Sequence, residues 1–169
     1  MCKYDFSVVI CTQNRGEELA QTLSSLVESE LPQFKGEVLI IDNGSTSANQ
    51  AIHQGLVKEH PLFNYHFTSI SGLSHARNLG LKLAQGQYVC FFDDDAIIHP
   101  GWFEAAFQFF LHHPCAGAIG GKIHLQGKED FLNSLSPIQK LMLSAFDLGE
   151  KVQELHYNNY PRGTHIAFR

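Results

Sequence analysis

Four times before residue 111, a short unbroken apolar run ends in a polar loop and is followed by apolar positions spaced for one face of a helix. The first run is Phe6-Ser7-Val8-Val9-Ile10-Cys11, ending at Thr12-Gln13-Asn14-Arg15-Gly16. Apolar, β-branched and without strict alternation, it reads as a strand buried on both faces. From Glu17 the positions Leu19, Leu23, Leu26 and Val27 make the stripe of a surface helix, which Pro32 stops. The pattern recurs as a strand over 37–41, a loop Asp42-Asn43-Gly44-Ser45-Thr46, and a helix through Ala48, Ile52 and Leu56. A weaker strand, Tyr65-His66-Phe67-Thr68, leads through a Ser-Gly loop to a helix carrying Ala76, Leu79, Gly80 and Leu83. The fourth strand, 87–92, ends at Asp93-Asp94-Asp95; Pro100 suits the first turn of a helix whose core face is Phe103, Phe107 and Phe110. Such strands, joined by amphipathic helices, bury both faces in a parallel sheet with right-handed crossovers. The expected fold is α/β: a mostly parallel, Rossmann-like sheet with helices on both faces.

After residue 116 the rhythm fails. Residues 118–123 read as one more strand and 138–146 as a short helix, while 126–133 and 153–159 show no clear period. No repeat or linker divides the 169 residues, so one domain is expected over 1–169.

Composition removes several function classes. With 44% hydrophobic and 17% charged residues and a mean hydropathy of −0.12, the chain has no signature of disorder. The densest apolar run, 102–111, is broken by Glu104 and Gln108 and is too short to span a bilayer. Twelve Lys and Arg against 17 Asp and Glu, with no basic block, argue against a nucleic-acid partner. Met1-Cys2-Lys3-Tyr4-Asp5 lacks the features of a signal peptide, so a cytoplasmic location is expected. Cys2, Cys11, Cys90 and Cys115 form no C-x-x-C pair and read as reduced, mostly buried thiols.

Open parallel sheets bind ligands outside the carboxyl ends of their strands, which selects the loops over 12–16, 42–46 and 93–96. Three adjacent carboxylates, Asp93-Asp94-Asp95, repel one another unless a cation offsets them, and hard oxygen donors with water access suit Mg²⁺ or Mn²⁺. In an extended segment Asp93 and Asp95 would share one site while Asp94 points elsewhere. A solvated acidic turn with Asp95 capping a helix is the plainer alternative. Asp42-Asn43-Gly44-Ser45-Thr46 fits an Asx-type turn whose Ser or Thr caps the next helix. Arg77-Asn78 reads as a solvated helical pair, and the ten histidines show no metal-ligand spacing.

The order and spacing of these segments resemble the GT-A nucleotide-sugar domain of glycosyltransferase family 2. The resemblance rests on Val8-Val9-Ile10-Cys11-Thr12-Gln13-Asn14-Arg15, Ile40-Ile41-Asp42-Asn43-Gly44-Ser45-Thr46, Gly72-Leu73-Ser74-His75-Ala76-Arg77-Asn78-Leu79-Gly80, the segment from Gly86 to the acidic triplet, and His99-Pro100. Ala118-Ile119-Gly120-Gly121-Lys122-Ile123 and Gly163-Thr164-His165-Ile166-Ala167-Phe168-Arg169 extend it more loosely.

The resemblance implies a metal-dependent, inverting transferase that holds a nucleoside diphosphate sugar, uridine-linked, for transfer to a hydroxyl acceptor on a glycan or lipid-linked carrier. By it, Thr12, Asn14 and Arg15 line the nucleoside pocket, Asp42 accepts a hydrogen bond from the base, and Arg77 contacts the base from the other side. Asp93 or Asp94 holds the ribose. Asp95, with Asp93, binds the Mn²⁺ or Mg²⁺ that bridges the diphosphate. The family's downstream acidic base has no counterpart before Arg169, so the acceptor half over 101–169 reads as incomplete. His165 stands as a candidate base, acceptor-site residue or metal ligand. The rival expectation is a nucleotide-sugar-binding domain without catalysis. Homodimerisation, through apolar surface around Ile119, Ile123 and Phe168, and peripheral membrane association are also expected. A nucleotidyltransferase would need a Gly-rich loop after the first strand, and a D-x-D-x-T phosphatase would need Thr where Ile97 stands.

Overall fold

The computed structural model describes residues 2–155 and 165–169. Its elements run β1 (Tyr4–Thr12), α1 (Gly16–Glu28), β2 (Gly36–Asn43), α2 (Ser47–Val57), β3 (Phe63–Thr68), α3 (Leu73–Leu83), β4 (Gly86–Asp93), α4 (Trp102–His112), β5 (Ala118–Gly120), α5 (Glu129–Ser134), α6 (Pro137–Met142) and β6 (His165–Phe168). They form one six-stranded sheet in the order β3-β2-β1-β4-β6-β5. β1, β2, β3 and β4 are parallel, and β6 is antiparallel to both β4 and β5. The expected α/β architecture is present.

Period-two alternation sends the strand side chains to two separate cores. Phe6, Val8 and Ile10 of β1 join Val38 and Ile40 of β2 and Tyr88, Cys90 and Phe92 of β4 on one face. That face is covered by Leu19, Leu23 and Leu26 of α1 and by Phe103, Ala106 and Phe110 of α4. Val9, Leu39, Ile41 and Phe91 point the other way and pack under Ala76 of α3. Aromatic rings carry much of the larger core: Phe6 meets Phe103 edge-on at 5.2 Å between centroids, and Tyr88 stacks on Phe110 at 4.5 Å.

The structure departs from the sequence reading mainly beyond α4. Pro100 lies outside that helix, which starts at Trp102 because Gly101 precedes it in a left-handed conformation (φ 89°). The strand expected over 118–123 stops at Gly120, and Ile123 forms an isolated bridge with Phe146. The helix expected over 138–146 spans only Pro137–Met142, opened by a capping box between Ser136 and Gln139, and an additional short helix, α5, occupies part of the aperiodic stretch. β6 was not expected as a strand; its four residues gain regular structure only by pairing between β4 and β5. Of the segments singled out in the sequence, His156, Gly163 and Thr164 lie outside the described residues. All four cysteines are free, but Cys2 and Cys115 are exposed, so only Cys90 is fully buried and Cys11 partly so. Ile119 and Ile123 are half-buried and Phe168 is exposed. No helix among the described residues is long and apolar enough to cross a membrane.

α3 lies against the sheet closely enough to require a glycine. A Cβ on Gly80 would come 2.3 Å from Cγ1 of Val9, and 3.2 and 3.3 Å from its Cγ2 and Cβ, so no rotation of Val9 clears it. Gly80→Ala is therefore expected to cost about 1–3 kcal/mol despite alanine's better helix propensity. Urea denaturation checks this, and adding Val9→Ala to the same chain should recover part of the loss.

Candidate functional site

Between β1 and β4 the direction of strand succession reverses, the point at which an open α/β sheet leaves a crevice at its carboxyl edge. The register pairs Thr12 with Asp42 and Cys11 with Asp93, so three strand ends finish level. Above them lies a cleft of about 460 Å³, lined by Cys11, Thr12, Gln13 and Arg15 from the end of β1, Asn43 from β2, Ser71, Gly72 and Leu73 before and at the start of α3, and Asp93, Asp94 and Asp95.

The acidic triplet does not continue as an extended strand. β4 ends at Asp93, and the Ala96 N–H donates to the Asp93 carbonyl at 3.2 Å, closing a turn. The expectation that Asp94 would point away is corrected by that turn: all three carboxylates line the cleft. Arg15 bridges two of them, donating from Nη1 to Asp94 Oδ1 at 2.8 Å and from Nη2 to Asp95 Oδ2 at 2.9 Å. Asp95 therefore serves as an arginine partner here, and the residue at the N-cap of α4 is Gly101. Arg77, far from being only solvated, donates to Asp93 Oδ1 at 3.2 Å. Burial raises the Asp93 carboxyl above the ordinary carboxylate value, an effect Arg77 partly offsets and the neighbouring carboxylates reinforce. Asp94 is raised for the same reason, with the Thr12 hydroxyl and Arg15 opposing. Burial pushes the Cys11 thiol up to about 12, which removes it as a nucleophile at neutral pH.

Among the described residues no three of His, Cys, Asp and Glu converge as a complete metal cage. The donor set is nonetheless of the kind a hard divalent cation takes when substrate phosphates complete its shell: carboxylate oxygens at the mouth of a water-accessible cleft.

Asp42 does not line the cleft. Its side chain is 0% exposed, and both oxygens are taken: Oδ1 accepts the Ser45 N–H at 2.9 Å, while Oδ2 accepts from His53 Nδ1 and from the Tyr65 hydroxyl, each at 2.8 Å. The contact from Asp42 to a base is thus corrected, and the Asx-turn reading of this loop holds, with Thr46 capping α2 through Asn49. The physical reason is the pleat. Val38 and Ile40 face the larger core, so Asp42 continues toward α2, whereas Leu39 and Ile41 face the other way and Asn43 continues into the cleft. Asn43 is 8% exposed, and its buried Oδ1 has no partner. Sequence reasoning passed over it, although the alternation along β2 already separates it from Asp42.

Asn14 also plays a different part from a lining residue. In a left-handed conformation (φ 57°), it donates its N–H to Ser45 Oγ and accepts the Thr46 N–H on Oδ1, both at 2.9 Å, clasping the β1 and β2 loops together. His165 is half-buried and is not among the residues that line the cleft. Its ring lies 5.6 Å from Phe92 and 5.2 Å from Trp102, and its Nε2 is buried without a partner. Burial lowers its pKa, against the hydrogen bonds that its ring makes to the backbone of Lys122 and Gly121.

Comparison with known proteins shows the family and the fold. The Glycosyl transferase family 2 family model matches residues 7–166. The Staphylococcus aureus (strain N315) protein TarP, a poly(ribitol-phosphate) beta-N-acetylglucosaminyltransferase, is 29% identical over 127 residues, 72% of this chain and 37% of that protein. The minor teichoic acid biosynthesis protein GgaB of Bacillus subtilis (strain 168) is 29% identical over 111 residues, 65% of this chain and 12% of that protein. Among solved structures, S. aureus TarS 1-349 in complex with UDP-GlcNAc superposes with a TM-score of 0.64 at 26% identity, covering 73% of this chain and 36% of that one. Mannosyltransferase PcManGT from Pyrobaculum calidifontis, in complex with GDP-Man and Mn²⁺, gives 0.63 at 25% identity, covering 78% and 38%. The chain spans well under half the length of each of these relatives.

The Asp42 hub makes a stability prediction with a definite sign. Burial is the largest single influence and pushes its carboxyl up, but the bonds from His53, Ser45 and Tyr65 together outweigh it and leave the pKa below the ordinary value. A lowered native pKa gives stability that is fully present above the unfolded chain's value and is lost as pH falls through the native one. Asp42→Asn, which turns an amide toward buried donors, is expected to cost about 3 kcal/mol at pH 7. Urea titrations from pH 7 down through about pH 4 and below should show the gap between wild type and variant closing.

Proposed function

Because the chain belongs to glycosyl transferase family 2, we propose that its cleft is the donor site of a metal-dependent, inverting glycosyltransferase. The donor is a nucleoside diphosphate sugar, of the uridine class, and the acceptor is a hydroxyl on a glycan or lipid-linked carrier. One observation carries this reading: three consecutive acidic residues line the cleft at the topological switch point, beside a sheltered, unpartnered Asn43 amide oxygen. Asn43 offers an acceptor for the uracil N3–H and a donor for the adjacent carbonyl. Thr12 and Arg77 flank the nucleoside, Asp93 or Asp94 takes the ribose hydroxyls, and Asp95 with Asp93 holds Mn²⁺ or Mg²⁺ against the diphosphate. A divalent cation there supplies neutralisation of the charge that develops on the departing nucleoside diphosphate. Inverting transfer is a single displacement: the acceptor oxygen bonds to the anomeric carbon as the diphosphate leaves from the opposite face, and the hydroxyl proton passes to a base. The relatives' bound UDP-GlcNAc, GDP-Man and Mn²⁺ support the donor class and the cation.

The enclosure of His165 between Phe92 and Trp102 favours a second reading, a nucleotide-sugar-binding domain without a base of its own. Calorimetry tests the shared part of both. Uridine diphosphate should bind at least about tenfold more tightly with Mn²⁺ than without, and Asp95→Ala should remove that difference while the circular dichroism spectrum stays unchanged. Equal affinity with and without Mn²⁺ would take the cation out of the account. Nucleotide release from the UDP-sugar, scored with and without a hydroxyl acceptor, separates the two readings: lacking a general base leaves transfer about 10²- to 10⁴-fold lower.

A further inference from the structure

Asp42 is one link in a chain of hydrogen bonds that joins the three loops around the cleft. Its Oδ1 fixes Ser45, Ser45 and Thr46 are clasped to Asn14, and Arg15, the next residue, reaches Asp94 and Asp95. The other end of that chain lies outside the cleft. Oδ2 is held from α2 by His53 and from β3 by Tyr65.

His53 is 0% exposed, and its Nε2 is buried with no partner. A carboxylate only accepts, so Nδ1 carries the ring proton and donates it to Asp42. An unpaired buried nitrogen is costly, and an aliphatic side chain would fill the space beneath α2 without that cost. The one polar contact this ring makes among the described residues is to the residue whose neighbour, Asn43, lines the cleft.

We propose that His53 is a positioning residue for the nucleobase: through Asp42 it sets the β2–α2 loop and so the point at which Asn43 meets the base. This rests on the reading of the cleft as a nucleoside diphosphate site. The imidazole touches no ligand. It holds the carboxylate in one rotamer together with Tyr65, so that the turn through Gly44 (φ 82°) to Ser45 is fixed before the nucleotide arrives.

The test compares uridine diphosphate with inorganic pyrophosphate, which lacks the base, in Mn²⁺ by calorimetry on the full chain. His53→Leu should weaken uridine diphosphate about tenfold and leave pyrophosphate unchanged, and His53→Asn, whose Nδ2 can take the place of Nδ1, should restore most of the loss. An equal loss for both ligands, or no loss for either, overturns the proposal. Should His53→Leu fail to fold, Tyr65→Phe, which removes the other Oδ2 donor, decides: a selective loss of uridine diphosphate supports positioning through Asp42, and unchanged binding overturns it. If the wild-type chain binds no uridine diphosphate, the reading of the cleft falls, and this proposal with it, at a different step of the experiment.

Discussion

A carboxylate shut away from water has to be satisfied by the protein, and in this chain the loops around the cleft are arranged around one such group. Asp42 stands at the end of a strand buried along its whole length, on the face that looks toward α2. His53, Tyr65 and the Ser45 N–H supply its donors from a helix, the edge strand and its own loop. Satisfying it determines the course of the β2–α2 turn, and the turn in turn presents Ser45 and Thr46 to Asn14. The left-handed backbone at Asn14 then directs Arg15 across to the end of β4.

The second constraint is repulsion. Three consecutive carboxylates at one strand end are held against two guanidiniums, Arg15 and Arg77, so that edge keeps a net negative charge. Burial of Asp93 and Asp94 makes their charged forms less favourable still. An anionic diphosphate entering alone would meet an unfavourable field, which is the electrostatic reason that the proposed donor calls for a cation. The same edge is anchored on the side away from the cleft: the Thr22 hydroxyl donates to the Asp94 carbonyl at 2.9 Å, tying the acidic turn to α1.

Much of the fold was legible because its signals are local. Each apolar run became a strand and each spaced stripe a helix, from Val8-Val9-Ile10 through Phe103 and Phe110, because burial on both sheet faces demands those patterns whatever the rest of the chain does. Legibility failed where order depends on distant partners. β6 contains four residues whose backbone groups are satisfied by β4 and β5, and α5 and α6 carry exposed Phe131, Ile138 and Met142 with no stripe facing the core.

By itself, the sequence determined the α/β class, the three strand-end loops and the membership of most residues in the candidate site, since composition and period act over a few neighbouring residues. Only the tertiary structure decided which side chain of each loop faces the cleft. Alternation along β2 places Asp42 and Asn43 on opposite faces, but which face is the cleft was decided by the packed sheet and by a histidine eleven residues on, which bury the first and leave the second lining the cleft. The turn after Asp93, together with an arginine 79 residues away from Asp94, overrode the alternation that would have sent Asp94 elsewhere. Hydrogen bonds and ion pairs between remote segments have no period, so their outcome is settled only when the sheet brings those segments to one edge.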